Sequence, residues 1–407
     1  MRIRDYTTFR VGLGTEVDEH VLIWLLLGFV FFLPISTSFS QPFAYLAVGV
    51  WAYGLFRRRD FSFMSSPWFW PVCLFAFLTL LAALMGPNPM DSIPKSRRLL
   101  LMSLIFPLGS LFRTDHHDAR ANTFILMGLF VAGTSLLGVW DIIRVPFSVF
   151  RGENLYDTGN MRDPQLYMMG ICFILALWKE GVRRSWGNLM TCALMLNVLG
   201  VILHFKRGVW LSLFIAAFMI ACVSRQRRII MIMGLLVLFM AALPQTRDRI
   251  NLLQEEFLVE TGGRYVLWTQ IAPRMILDYP AGTGPRGLEH EDFLEYSTHI
   301  QPGLNHLHNN FMQVAVDSGW AGLIVWIWWM ALSGIIMIRL HIYHRKNAPE
   351  TAALALGCFG AFTALMLNGM VEYNFGTGVI FMALIMLMGI AQSIRDSSMH
   401  DERGDLS

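Results

Sequence analysis

Charge beside hydrocarbon is costly, so ionisable residues at the ends of apolar stretches are read as functional candidates first. His204-Phe205-Lys206-Arg207-Gly208 is an almost loopless turn between two apolar blocks. Arg207 would open the second block, where free backbone N–H groups and the helix dipole favour an anion and a guanidinium adds a fork matched to phosphate. The plainer reading is that Lys206 and Arg207 snorkel and anchor the helix end. Gly262-Gly263-Arg264 repeats the device, with glycines that let an anion approach the backbone; its plainer reading is an amphipathic helix that happens to start on Arg. Arg207 and Arg264 together suit a diphosphate better than either alone. Lys95, Arg97 and Arg98 would widen that anionic surface or serve as interface anchors.

His306-Leu307-His308-Asn309-Asn310 offers a different chemistry. Two histidines at i and i+2 of a helix diverge, so a helix-borne metal pair is not expected. One of them as general base is more economical, since an imidazole with a pKa of about 6.5 takes a proton from a hydroxyl at neutral pH and is worth about 10²–10⁴ in rate. A loop histidine is otherwise simply solvated. His290-Glu291-Asp292 with Glu289 and Glu295, and Asp115-His116-His117-Asp118, could in principle hold a divalent metal, but neither has a second acidic cluster beside it. No metal and no cofactor is expected.

The elements that must position these residues follow from composition. Of 407 residues, 55% are apolar and 15% charged, against roughly 25% charged in a soluble domain. The apolar residues come in blocks of about 16–25, the length that crosses a hydrocarbon core as helix. The chain therefore reads as an all-α polytopic integral membrane protein with about twelve transmembrane helices: 20–38, 41–56, 67–86, 98–112, 121–140, 164–178, 187–205, 207–224, 229–244, 311–338, 351–370 and 376–394. A net charge of +3 is too small to suggest nucleic acid. The five cysteines all fall inside apolar blocks, with no metal or disulfide spacing. Met1 to Glu19 lacks the layout of a cleavable signal peptide.

Alternate connections are basic, among them Arg57-Arg58-Arg59, Arg183-Arg184 and Arg345-Lys346. By the positive-inside rule they and both termini are cytoplasmic. The expected organisation is a cytoplasmic N-terminus (1–19), nine spans (20–244), one large periplasmic loop (245–310), three spans (311–394) and a cytoplasmic tail (395–407). A loop that long is more often functional than incidental. Within it Arg264, Leu267, Trp268, Ile271 and Met275 recur at helix spacing, and Tyr279-Pro280 with Gly282-Thr283-Gly284-Pro285 ends the helix.

In order and spacing these motifs resemble the O-antigen ligase and polymerase superfamily of bacterial envelope glycosyltransferases. Lys206-Arg207-Gly208 opening a span carries the resemblance, with Gly263-Arg264 followed by Trp268, Tyr279-Pro280 and Gly282-Thr283-Gly284, and His306-Leu307-His308-Asn309 leading into Asp317-Ser318-Gly319. The resemblance implies a GT-C-like membrane glycosyltransferase of the bacterial inner membrane with a periplasmic site. Its donor would be a glycan on undecaprenyl diphosphate and its acceptor the lipid A-core, with membrane lipid as the surroundings and no metal or nucleotide. Arg207 and Arg264 would then hold the diphosphate and His308, paired with Asn309, would be the base, with His306 as second choice. Lys206, Gly263, Trp268, Lys95, Arg97 and Arg98 would line the substrate; the family is less uniform in the outer loops that carry Lys95, Arg97, Arg98 and Arg162. A ligase is expected, a polymerase being the alternative with the same donor. A protein O-oligosaccharide transferase would often carry a further C-terminal soluble region. A transporter of lipid-linked glycan predicts charge inside the spans, whose interiors hold little.

Overall fold

The computed structural model describes residues 17–110, 116–153, 160–178, 183–227, 229–231, 234, 242, 258, 263–297, 300 and 306–404. Most of the expected span 229–244, much of the expected loop, Gly262 and Asp115 lie outside the described residues.

Every element among the described residues is helical: α1 (Val17–Ile35), α2 (Thr37–Arg58), α3 (Phe69–Met85), α4 (Pro89–Lys95), α5 (Ile105–Ser110), α6 (His116–Phe150), α7 (Asp163–Leu177), α8 (Arg183–Leu203), α9 (Arg207–Ser224), α10, α11 (His290–Leu294), α12 (Asn310–His344), α13 (Pro349–Asn368) and α14 (Gly378–Gly404). α10 is composite, Arg264–Val266 followed by a π turn Leu267–Ile271 and then Ala272–Asp278. Short 3-10 segments cover Ser62–Ser65 and Ser96–Leu104. Five stretches are long and apolar enough to cross a membrane, namely Phe124–Phe150, Arg207–Ser224, Asn310–His344, Pro349–Asn368 and Gly378–Ser397, and four shorter apolar helices accompany them. Large apolar side chains such as Trp24, Trp70, Phe77 and Ile143 stay exposed, as they do where lipid rather than water is the solvent.

α14 is the central post: 89% of its apolar stretch is buried, against 39% for α9 and for α12. Glycine narrows the packing of α13 against α7 and α9, Gly357 admitting Phe173 and Gly360 admitting Ile220, because apolar helices in lipid associate by close contact of small residues.

Two expectations change. The described part of the expected span 98–112 is a 3-10 segment, Ser96–Leu104, running into the six-residue α5. α6 continues to Phe150, beyond the expected end at residue 140, so the buried Asp141 lies inside a helix and the span interiors are less free of charge than the sequence suggested.

α12 breaks at Gly319, whose φ of 69° is left-handed. Its bonds are rerouted there: the Trp320 N–H donates to Pro280 O at 3.2 Å, while Val316 O accepts from the Thr283 N–H and Asp317 O from the Gly284 N–H, each at 2.9 Å. The Gly282-Thr283-Gly284 segment is thus stitched into the kink and supplies the donors a bent helix lacks. A Cβ on Gly319 would stand 2.5 Å from the Pro280 carbonyl oxygen, so only glycine permits the seam.

Candidate active site

The helix expected from Arg264 is present, with Gly263 at its N-cap in extended backbone. Its Trp268 Nε1 donates to Leu307 O at 2.8 Å, which docks the histidine motif on α10. The Leu307 N–H donates to Gln313 Oε1 at 2.8 Å. Asn309 caps α12: its Oδ1 accepts from the N–H groups of Phe311 and Met312 at 2.9 and 3.2 Å. His306 and His308 therefore precede the helix rather than ride on it, and His308 is left-handed with φ 48°. Off the helix, the two side chains are free to converge. Their rings meet edge to face, 4.1 Å apart.

The piece that gathers the motifs is the link 368–372 between α13 and α14. Gly369 O accepts from the Asn310 N–H at 2.7 Å. Met370 O accepts from Asn309 Nδ2 at 2.8 Å, and Val371 O accepts from Arg264 Nε at 3.2 Å. Glu372 places its carboxylate oxygens 3.2 and 3.3 Å from His308 Nδ1 and 3.9 Å from Arg264 Nη2. A Cβ on Gly208 would stand 3.0 Å from Val371 Cγ2, so the first turn of α9, which Arg207 opens, also abuts this link. Five consecutive residues touch the starts of three helices.

Burial pushes the Glu372 carboxyl up, but the hydrogen bond from His308 and the charges of His308, His306 and Arg264 outweigh it and hold the group below the usual carboxylate range. Burial, then the nearby His308, push His306 down. His306 Nδ1 is buried without a partner. The two histidines thus differ: His308 is backed by a carboxylate and 27% exposed, whereas His306 is held below its ordinary value by burial.

A second chain of bonds supports the site from below. Tyr373 OH donates to Asp317 Oδ2 at 2.9 Å, Arg98 Nη2 donates to Tyr373 OH at 3.3 Å, and Arg98 Nη1 donates to Gly376 O at 3.1 Å. Arg98 therefore braces the residues that follow the link. Lys95 Nζ donates to Arg286 O at 3.3 Å, and Arg97 is exposed. Lys206 is the N-cap of α9, its carbonyl accepting from the N–H groups of Val209 and Trp210. His204, in the same turn, is fully buried with Nε2 2.8 Å from Asp141 Oδ2, which also accepts from Tyr167 OH at 2.6 Å.

Two groups bring possible metal ligands within 4.8 Å of one another: His306, His308 and Glu372, and Asp141, Asp163 and His204. Arginines already face both, Arg264 on Glu372 and Arg144 and Arg162 on the two aspartates. They supply the positive charge that a cation would. In the acidic run, Glu289 and Asp292 form a capping box for α11.

Sequence reasoning missed Glu372, although an acid in a short link between two apolar spans meets the same test that selected Arg207. It also missed Gln313 and Tyr373.

The described chain is an all-helical protein with membrane-length apolar helices and a site built of two arginine-led helix starts, a histidine and a carboxylate. Residues 191–327, about a third of the chain, match the profile of the family described as O-antigen ligase. The matched stretch contains Arg207, Arg264, His306 and His308, while Glu372 lies beyond it. No curated protein matches the chain at a significant level.

Proposed function

We propose that the protein is an O-antigen ligase of the bacterial inner membrane, with both termini cytoplasmic. It transfers a glycan from undecaprenyl diphosphate to a hydroxyl of the lipid A-core at a periplasmic site. The observation that carries this reading is the His308–Glu372–Arg264 cluster, assembled beside the Arg207 helix start by one short link.

The ionised Glu372 accepts a hydrogen bond from His308 Nδ1–H, which fixes the tautomer and leaves Nε2 as the base. Nε2 takes the acceptor's hydroxyl proton as the oxygen attacks the anomeric carbon. The bond from that carbon to the diphosphate breaks on the opposite face, inverting the centre, and undecaprenyl diphosphate leaves with the electron pair. Its new charge needs stabilising but not protonating, which fixed guanidinium groups at Arg207 and Arg264 do in a partly desolvated site. Lys206, Gly263, Trp268, His306 and Asn309 shape the space around them.

A deletion strain tests the reading. Full-length lipid-linked polymer accumulating beside unmodified lipid A-core supports the ligase, whereas a single repeat unit on the core turns the assignment to a polymerase. Complementation by the wild-type gene but not by Arg207→Ala, Arg264→Ala or His308→Ala, each shown to be inserted, ties the phenotype to this site.

A further inference from the structure

The link 368–372 carries one residue whose side chain has nothing to bond. Asn368 closes α13 at 0% exposure, and both its Nδ2 and its Oδ1 are buried without a hydrogen-bond partner. The other asparagines around it are engaged. Asn309 caps α12 and donates to Met370 O. Asn310 donates to Asn374 Oδ1 and accepts from the Phe375 N–H, and Asn374 donates to Leu365 O. Beside these paired asparagines, a buried amide with neither half satisfied is an exception that calls for an absent partner.

Its surroundings say what that partner is. A Cβ on Gly208 would stand 3.2 Å from Asn368 Nδ2, so the amide lies against the first turn of α9. That helix has 18 residues and begins at Arg207. A helix start favours an anion, through its N–H groups and its dipole. Glycine at position 208 keeps the approach between amide and helix start free of side chain.

We infer that Asn368 is a further donor-binding residue, its amide N–H donating to a diphosphate oxygen held at the start of α9. The inference rests on the diphosphate reading of Arg207. Because the amide is sealed in the structure, the turn 204–208 must part from the link as the donor enters. A neutral donor adds a hydrogen bond without the strong product retention of a third guanidinium.

The test uses the full-length protein in lipid nanodiscs, with thermal midpoint and steady-state kinetics as readouts. Undecaprenyl diphosphate is the probe, with undecaprenol and inorganic pyrophosphate as separate arms. Asn368→Ala is expected to leave the ligand-free midpoint at or above wild type, to shrink the rise caused by undecaprenyl diphosphate, and to raise the donor KM about tenfold with the acceptor KM unchanged. Asn368→Ser, which keeps a donor, should recover part of that loss. A wild-type rise and a wild-type donor KM in Asn368→Ala overturn the inference. So does a lowered ligand-free midpoint with an unchanged donor KM, which would make Asn368 a structural residue. Undecaprenol stabilising as well as its diphosphate overturns it too, whereas a rise with pyrophosphate supports it. Arg207→Ala is run in parallel. If it also keeps the full rise, the diphosphate reading itself fails; if Asn368→Ala alone keeps it, only the present inference does.

Discussion

His308 Nδ1 lies 3.2 Å from Glu372 Oε1, although 64 residues separate them in the chain. A carboxylate on one ring nitrogen orients the imidazole and leaves the other nitrogen to the substrate. Glu372→Gln keeps the shape and removes the charge, so kcat should fall by about 10–100-fold, while His308→Ala should lose roughly 10²–10⁴. Single-turnover transfer with saturating donor measures both. Normal activity in His308→Ala with loss in His306→Ala would move the base to His306.

Arg264 performs two tasks at once, its Nε on Val371 O and its Nη2 towards Glu372. A lysine carries the charge on one nitrogen and cannot divide it between a carbonyl, a carboxylate and a phosphate. Arg264→Lys is therefore expected to lose about tenfold or more in kcat/KM for the donor, where a tenfold change corresponds to about 1.4 kcal/mol. Wild-type kinetics in this variant would show that charge alone matters there.

The arginines and the histidine were legible because each is an ionisable group at the end of an apolar block, and the helix from Arg264 was legible from its period. Their assembly was not, because it depends on backbone carbonyls of Gly369, Met370 and Val371, which no sequence pattern advertises. The histidine pair escapes the helix spacing rule for a local reason: Asn309 caps a helix that begins at Asn310, beyond both rings. The span expected at 98–112 failed differently. Hydropathy counts apolar side chains and does not register the tighter 3-10 winding of Ser96–Leu104, where Arg98 is drawn to Tyr373 and Gly376.

Asn309 has two separable jobs, its Oδ1 capping α12 and its Nδ2 holding Met370 O. Asn309→Ala should lower stability by about 1 kcal/mol for the cap alone. Asn309→Asp keeps the cap acceptor and removes the donor, so most of the stability should return while transfer stays impaired. Denaturation midpoints beside activity separate the two, and parallel recovery of both in the Asp variant would deny the link its role.

Transfer should survive chelation. Arg264 stands 3.9 Å from Glu372, where it supplies positive charge that would otherwise call for a metal ion. Activity in purified protein is expected to be unchanged after dialysis against a chelator. Loss of transfer that Mg²⁺ or Zn²⁺ restores would turn the His306, His308 and Glu372 group into a metal centre.

Stability should fall in acid in two steps. Burial and then the charge of His308 hold His306 below its ordinary value. An unfolded histidine takes up its proton near pH 6.5 (about the model-peptide value), and the folded one resists it, so below that pH the unfolded state gains protons that the folded state does not. Glu372 acts lower down. Despite burial, its bond to His308 and the surrounding positive charges keep it below the usual range. Its stabilisation is therefore complete above the unfolded carboxyl value of about 4.3 and is lost as pH falls through the lower folded value. The thermal midpoint in nanodiscs should drop first just below pH 6.5, and His306→Gln should flatten that step while leaving the one below about pH 4.3. A His306→Gln profile that matches wild type between pH 6.5 and 5 would show that burial of His306 does not govern the first step.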